Sequence, residues 1–178
     1  VIHNFMMRKV LLTALFAIIA MAASAQKFAL VDMEYILANI PAYERANEQL
    51  NQVSKKWQAE VEALNTEAST MYKNYQNESV FLSQEQKKKK QEEIMTKEKQ
   101  ASELKRKYFG PEGELFKKRQ SLISPIQDEI YNAVKEISDL RGYSLVIDRA
   151  SDNGIVFGSP KIDISNEVLQ KLGYSVNN

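Results

Sequence analysis

The feature that most constrains the fold is a stretch without glycine or proline, from Tyr43 to about Asn77. Within it apolar residues recur every three or four positions, a spacing that aligns them as a seam on one face of a helix. The seam residues are Ala46, Leu50, Val53, Trp57, Val61, Leu64, Ala68, Met71 and Tyr75. A helix of this extent would be about 50 Å long at 1.5 Å per residue, so it must protrude from any body that this chain can form.

A second helix is predicted from Gln84 to about Phe109, antiparallel to the first. Ser83 and Gln86 have the spacing of a capping box, in which each side chain hydrogen-bonds the other residue's backbone at a helix start. Residues 77–82 would then form the tip of a helical hairpin. The second seam is sparse, so we expect the distal half of this arm to pack weakly. Its apolar residues are Ile94, Ala101, Leu104 and Tyr108, and Lys87, Lys90 and Lys97 occupy neighbouring positions.

A proline between two glycines interrupts the second helix, because proline lacks an amide donor and glycine raises the entropic cost of helix formation. We interpret this break as a hinge or an offset. Its residues are Gly110, Pro111 and Gly113. A further helix is predicted over residues 115–140, with a kink at Pro125 and with Gly142 just after its end.

Three short apolar runs, residues 27–32, 143–148 and 154–157, predict strands. The sequence Asp152-Asn153-Gly154 favours a hairpin turn between the last two runs. A calcium site at Asp148, Asp152 and Asn153 is the alternative, but the spacing of a calcium loop is missing. A last short helix, capped by Ser165 and closed by Gly173, completes the prediction.

The sequence therefore predicts an α+β fold in which a small β-strand body carries a long antiparallel helical hairpin, a coiled-coil arm. Residues 26–42 and 112–178 would form the discontinuous body, and residues 43–111 the arm. A body of this size is marginal unless reinforced, so we expect its apolar strand residues to mediate oligomerisation with other copies of the chain. These residues are Phe28, Leu30, Leu145, Val146, Ile147, Ile155 and Phe157.

Residues 1–25 have the pattern of a cleaved export signal. Arg8 and Lys9 precede an apolar run over residues 10–21 and a small-residue site at residues 23–25. A transmembrane anchor is the alternative, but the run is shorter than the roughly 20 residues that span a bilayer. Without residues 1–25, 22 Lys and Arg would face 23 Asp and Glu, a balance that does not indicate binding to nucleic acid.

The exported chain would contain neither histidine nor cysteine, because His3 is the only histidine and the sequence has no cysteine. This composition excludes Ser-His and Cys-His nucleophiles, His or Cys metal sites and disulfides. Carboxylate chemistry remains open, but the carboxylates lie mostly among lysines on amphipathic helices, and the sequence contains no phosphate-binding loop. We therefore expect a protein that is not an enzyme and needs no cofactor.

The order of these elements resembles the Skp/OmpH family of envelope chaperones over nearly all of the exported chain. The resemblance is carried by residues 27–32, by residues 145–148, and by residues 163–165 leading into Val168 and Leu169. It implies a periplasmic homotrimer, jellyfish-like in shape, whose arms enclose unfolded outer-membrane proteins without using ATP. The alternative is a structural envelope protein that acts as a spacer or permanent helical partner. Such a protein should keep apolar residues along both seams.

Two groups of residues near the predicted tip are candidates for client binding. Val80, Phe81 and Leu82 are apolar where the chain should be in water, although packing between the arm helices is an alternative. The second group consists of Lys87, Lys88, Lys89 and Lys90, which could attract acidic client segments, anionic lipid or lipopolysaccharide. A solvated helix face, offset by neighbouring glutamates, is the alternative for the lysines.

Overall fold

The structure is a computed structural model that describes residues 27–151 and 154–175. The predicted export signal, residues 1–25, lies outside the described residues. The elements in chain order are β1 (Lys27–Val31), α1 (Met33–Ala38), α2 (Pro41–Glu78), a 3₁₀ turn (Ser79–Phe81), α3 (Gln84–Phe109), α4 (Glu114–Arg141), β2 (Tyr143–Asp148), a second 3₁₀ turn (Pro160–Ile162) and α5 (Ser165–Lys171). The predicted α+β class and the long helical hairpin are confirmed.

The two strands form a small parallel sheet, although the whole arm lies between them in sequence. Phe28 lies opposite Leu145, and Val31 lies opposite Asp148. The helices α1, α4 and α5 contribute to one apolar core with β1. Its buried residues are Ala29, Val31, Ile36, Ile40, Ile126, Ile130, Ala133, Ile137, Ile164, Val168 and Leu169. This core joins the described residues that precede the arm to those that follow it.

The prediction of a third strand over residues 154–157 is wrong, because those residues form no strand in the structure. After β2 the chain crosses to the neighbourhood of β1 instead of returning along β2. The Ile164 N–H donates to the Leu30 carbonyl oxygen at 2.9 Å, and a Cβ on Gly158 would collide with Cδ1 of Leu30. Asp152 and Asn153, at the predicted hairpin turn, lie outside the described residues.

The helix α2 has 38 residues and so extends for about 57 Å. Its predicted seam is confirmed: four seam residues are buried and the others are half-buried. The buried four are Ala46, Leu50, Val61 and Ala68. In α3 only Ile94 and Ala101 are buried, as the sparse second seam predicts. At the base of the arm, Ala46 and Leu50 pack against Ile123 of α4, so α2 contacts both following helices.

Helix ends follow local sequence in most places. Ser83 and Gln86 form the predicted capping box at the start of α3, and Gly142 ends α4 with a φ of 69°. The prediction that Ser165 caps α5 is wrong, because Ile164 occupies the cap position. The Ser165 hydroxyl instead accepts a hydrogen bond from the Asp32 N–H at 2.8 Å. Pro125 lies within α4, and the kink predicted there stays a prediction.

Candidate functional site

The end of the arm presents apolar side chains to water. The 3₁₀ turn leaves Val80 78% exposed and Phe81 87% exposed, whereas Leu82 is half-buried. Packing between the arm helices therefore fits Leu82 but not Val80 or Phe81. Two adjacent exposed apolar side chains are suited to contact with an apolar partner. We refer to Val80, Phe81 and Leu82 as the tip.

The four predicted lysines lie in the first two turns of α3, directly after the tip. Lys87 is half-buried, and Lys88, Lys89 and Lys90 are exposed. Lys88 Nζ lies 3.9 Å from Glu92 Oε1 with both side chains largely in water, so this pair offsets little of the charge. The positive end of the α3 dipole lies at the same place and adds to the positive potential. The geometry therefore places a cationic surface beside an apolar one.

Contacts between polar or aromatic side chains join the arm helices at several points along their length. Near the base, the rings of Trp57 and Tyr108 stack with centroids 4.6 Å apart and an interplanar angle of 5°. Further out, Lys97 Nζ lies 3.0 Å from Glu67 Oε1. Closer to the tip, Gln91 Nε2 donates to Tyr75 Oη at 2.9 Å. Trp57 and Tyr75 thus take part in arm packing, as predicted.

Tyr72 is exposed, unlike the two seam aromatic residues Trp57 and Tyr75. It is 50% exposed, because it lies one position beyond the seam residue Met71. Met95 of α3 is also exposed, at 66%. The distal arm therefore carries exposed apolar groups along its length as well as at the tip.

The break between α3 and α4 forms a compact turn. The Gly113 N–H donates to the Gly110 carbonyl oxygen at 2.9 Å, and Gly113 is buried. A Cβ on Gly113 would lie 2.7 Å from the Tyr108 carbonyl oxygen, closer than real Cβ atoms come. Pro111 is exposed between the two glycines. The role of these residues as a hinge stays a prediction.

The seven strand residues predicted to mediate assembly occupy different environments. Leu30 is 6% exposed and belongs to the protomer's own interior. Val146, Ile147 and Ile155 are half-buried. The remaining three are exposed: Phe28 at 47%, Leu145 at 50% and Phe157 at 83%.

An apolar groove of about 450 Å³ runs between β2 and α4. Its lining includes Val31, Met33, Tyr131, Val134, Tyr143 and Leu145. Leu145 and Val146 belong both to the predicted assembly set and to the lining of this groove, and Leu145 is the more exposed of the two. The body thus has an open apolar surface beside its sheet.

Sequence reasoning missed a charged network at the carboxyl ends of the two strands. Arg149 lies 3.1 Å from Asp32 Oδ2 and 3.3 Å from Asp163 Oδ2. Asp148 accepts a hydrogen bond from the Met33 N–H at 3.1 Å. The available signal was that Asp32 and Asp148 each follow an apolar strand, and parallel strands bring such ends together. The three stretches that carry the family resemblance all meet at this network.

The described part of the chain has neither a group of side chains arranged for a metal ion nor a helix suited to span a membrane. Within residues 27–151 and 154–175, no three carboxylate, histidine or cysteine side chains are grouped closely enough to hold a metal ion. No helix in that part of the chain combines the length and apolar character needed to cross a membrane.

The chain is similar to known proteins over most of its length. A family model described as outer membrane protein (OmpH-like) matches residues 27–172. The chain is 26% identical over 160 residues to a protein of Yersinia enterocolitica named chaperone protein Skp, which covers 86% of this chain and 93% of the relative. It is 26% identical over 179 residues to a protein of the same name from Photorhabdus luminescens, covering 93% and 99%.

A solved structure has a similar fold. It is a putative outer membrane chaperone (OmpH-like) from Caulobacter crescentus, with a TM-score of 0.65 and 12% sequence identity. The similarity covers 85% of this chain and 86% of that one. At 12% identity this similarity shows a shared fold and nothing more.

Proposed function

The chain belongs to the OmpH-like outer membrane protein family, and from that premise we propose that it is a periplasmic holdase chaperone. It binds unfolded outer-membrane proteins and prevents their aggregation without ATP. The observation that carries this proposal is the exposed apolar pair Val80 and Phe81 at the end of a 38-residue helix. An apolar surface held far from the body suits contact with large unfolded chains better than binding of a small ligand.

Binding would be distributed over many weak contacts. The tip, the four lysines and exposed apolar groups such as Met95 each contribute a part of the binding free energy. Several arms on one assembly raise the effective concentration of such contacts, so a client is held tightly while each contact exchanges quickly. Release to the membrane then requires no nucleotide. A homotrimer would supply three arms, and the open groove beside β2 is the surface we assign to its assembly.

An aggregation assay tests the chaperone proposal directly. An unfolded outer-membrane β-barrel protein is diluted from denaturant into buffer without ATP, with and without excess purified protein. We expect light scattering to be suppressed. If scattering rises equally in both samples, the holdase proposal fails.

The contribution of the tip is tested by the double variant V80S/F81S. Removing two exposed apolar side chains should weaken client binding several-fold while leaving the fold intact, since neither side chain is buried. Suppression of scattering as a function of protein concentration gives the measurement. Leu140→Ser, which removes an exposed apolar side chain from the end of α4 in the body, is the matched control.

The contribution of the lysines depends on salt. Changing Lys87, Lys88, Lys89 and Lys90 to glutamine should weaken binding of acidic client segments at low ionic strength and have less effect at high salt, because exposed charges are screened. Cosedimentation with vesicles containing lipopolysaccharide tests separately whether these lysines bind anionic lipid. Unchanged binding in both assays at low salt would contradict a role for these lysines.

A further inference from the structure

The base of the arm carries a cluster of three side chains that joins α2 to the end of α3. Tyr108, in the last turn of α3, stacks on Trp57 of α2. Its hydroxyl donates to Glu60 Oε2 at 2.6 Å, and this hydrogen bond is the main reason that the pKa of Tyr108 is raised. A short hydrogen bond to a carboxylate fixes the ring's orientation as well as its position. We name Trp57, Glu60 and Tyr108 the clamp.

The clamp lies directly beside the glycine break. The carbonyl oxygens of Lys107 and Tyr108 are 2.9 Å and 2.7 Å from the position of a Cβ on Gly113. The turn therefore folds back against the residues that the clamp holds. Glycine is needed here for close backbone approach, since the φ of Gly113 is −71°, a value open to any residue.

The arm beyond the clamp is less firmly packed. The helix α2 continues for 21 residues past Trp57, about 32 Å. The buried side chains along this part of the hairpin are Val61, Ala68, Ile94 and Ala101, and two of these are alanines. The ion pair between Lys97 and Glu67 and the hydrogen bond between Gln91 and Tyr75 lie near water. Few buried apolar contacts and exposed polar contacts are the properties of segments that open locally.

We propose that the clamp makes the break at residues 110–113 a rigid corner, and that the arm bends between the clamp and the tip. The glycines then serve tight packing and not mobility. The moving part would comprise residues 64–78 of α2 and residues 84–100 of α3. This inference concerns the arm alone, and its test needs no client, so it stands or fails separately from the chaperone proposal.

Hydrogen exchange of the intact protein provides the first test. The amides of Gly110 and Gly113 both donate hydrogen bonds within the structure, so their exchange reports opening of the corner. We expect residues 106–114 to exchange about tenfold more slowly than residues 68–78 and 86–97, in keeping with the difference in packing. Equal or faster exchange at the corner would overturn the proposal.

The variant Gly113→Ala distinguishes a mobile hinge from a packed corner, because the two predict opposite changes in hydrogen exchange at residues 106–114. In a mobile hinge, alanine restricts the backbone, so exchange at residues 106–114 should slow. In a packed corner, the added Cβ pushes the turn away from the Tyr108 carbonyl, so exchange there should become faster. Slower or unchanged exchange contradicts the corner.

The clamp itself is tested by Tyr108→Ala, with Tyr72→Ala as the matched control on the same arm. Loss of the stack and the hydrogen bond should speed exchange at residues 106–114 by about tenfold. Tyr108→Phe, which keeps the stack, should have a smaller effect. Trp57 is the only tryptophan, so a red shift of its fluorescence in Tyr108→Ala shows that the stack is lost. A red shift without faster exchange at the corner would disprove the role of the clamp.

Discussion

Arg149 connects parts of the chain that are far apart in sequence. Its guanidinium contacts Asp32, which is 117 residues away, and Asp163, which precedes α5. The two carboxylates are already engaged with backbone: Asp32 accepts from the Tyr35 N–H at 2.9 Å and Asp163 from the Ser165 N–H at 2.9 Å. The arginine therefore ties together the end of β1 and the segment before α5.

We expect Arg149→Ala to lower the free energy of unfolding by about 1–2 kcal/mol, since it removes charged hydrogen bonds from two partly buried carboxylates. Denaturant unfolding followed by circular dichroism gives the measurement. Arg149→Lys should recover part of the lost stability, because lysine keeps the positive charge but lacks the planar guanidinium that contacts both carboxylates. Arg119→Ala, which removes an arginine from the exposed face of α4, is the control. Equal stability of both alanine variants would contradict the structural role of Arg149.

The contact between α4 and α5 should depend on pH. Lys171 Nζ lies 2.6 Å from Glu136 Oε2, and this hydrogen bond holds the pKa of Glu136 below its usual value. A lowered folded-state pKa contributes stability above the unfolded-state pKa, and that stability is lost as pH falls through the folded-state value. Glu136→Gln should therefore be less stable than the unchanged protein at pH 7 and equally stable in acid, below the lowered pKa. A difference that persists in acid would contradict this assignment.

The hydrogen-bond partner of a single side chain could be predicted from the sequence only where the two residues are close together in the chain. Ser83 and Gln86 are three residues apart and bond each other, so the sequence alone was enough to find their capping box. The partners of Arg149 depend on how the end of β1 meets the segment before α5, and no spacing in the sequence encodes that. Ser165 is an intermediate case: its position at a helix start was predicted, but its partner is the distant Asp32 N–H.

The stability of the distal hairpin rests on a few seam residues of α3. Ile94 is 5% exposed and its neighbour Met95 is 66% exposed, so the two positions form a matched pair. Ile94→Ala should cost about 2–4 kcal/mol locally, since truncation of a buried isoleucine removes apolar contact and leaves a cavity. Met95→Ala should cost little. Faster hydrogen exchange over residues 86–100 in the first variant alone is the expected result, and similar exchange in both would show that the seam does not hold the hairpin.

The first helix of the arm was predictable because its apolar periodicity is long and unbroken. The second was predictable because a capping box marks its start and a glycine and proline break marks its end. The strands were harder to predict from the sequence. Residues 154–157 have the composition of a strand but form none in the structure. A strand requires a partner, and the path of the chain after β2 leads away from its free edge. The sparse seam of α3 also bears on function, because a permanent coiled-coil spacer would need apolar residues along both helices.

The division into body and arm also depends on contacts that sequence does not encode. The helix α4 takes part in both, because Ile123 packs against Ala46 and Leu50 of α2 while Ile130 and Ile137 lie in the body core. A body of residues 26–42 and 112–178 with an arm of residues 43–111 remains our proposal. In this division α4 connects the body core to the base of the arm.

The open apolar surface of the body leads to a last prediction, for the assembly that we propose. A copy of the chain that covers the groove beside β2 would bury the half of Leu145 that is still exposed, and burial of that much apolar surface contributes about 1 kcal/mol. Leu145→Lys should therefore shift the protein toward smaller species in light scattering coupled to size exclusion, whereas Met95→Lys on the arm should not. Because assembly favours the folded state by mass action, the unchanged protein should also show a Tm that rises with concentration. Leu145→Lys should weaken that dependence, and a variant that assembles like the unchanged protein would place the interface elsewhere on the body.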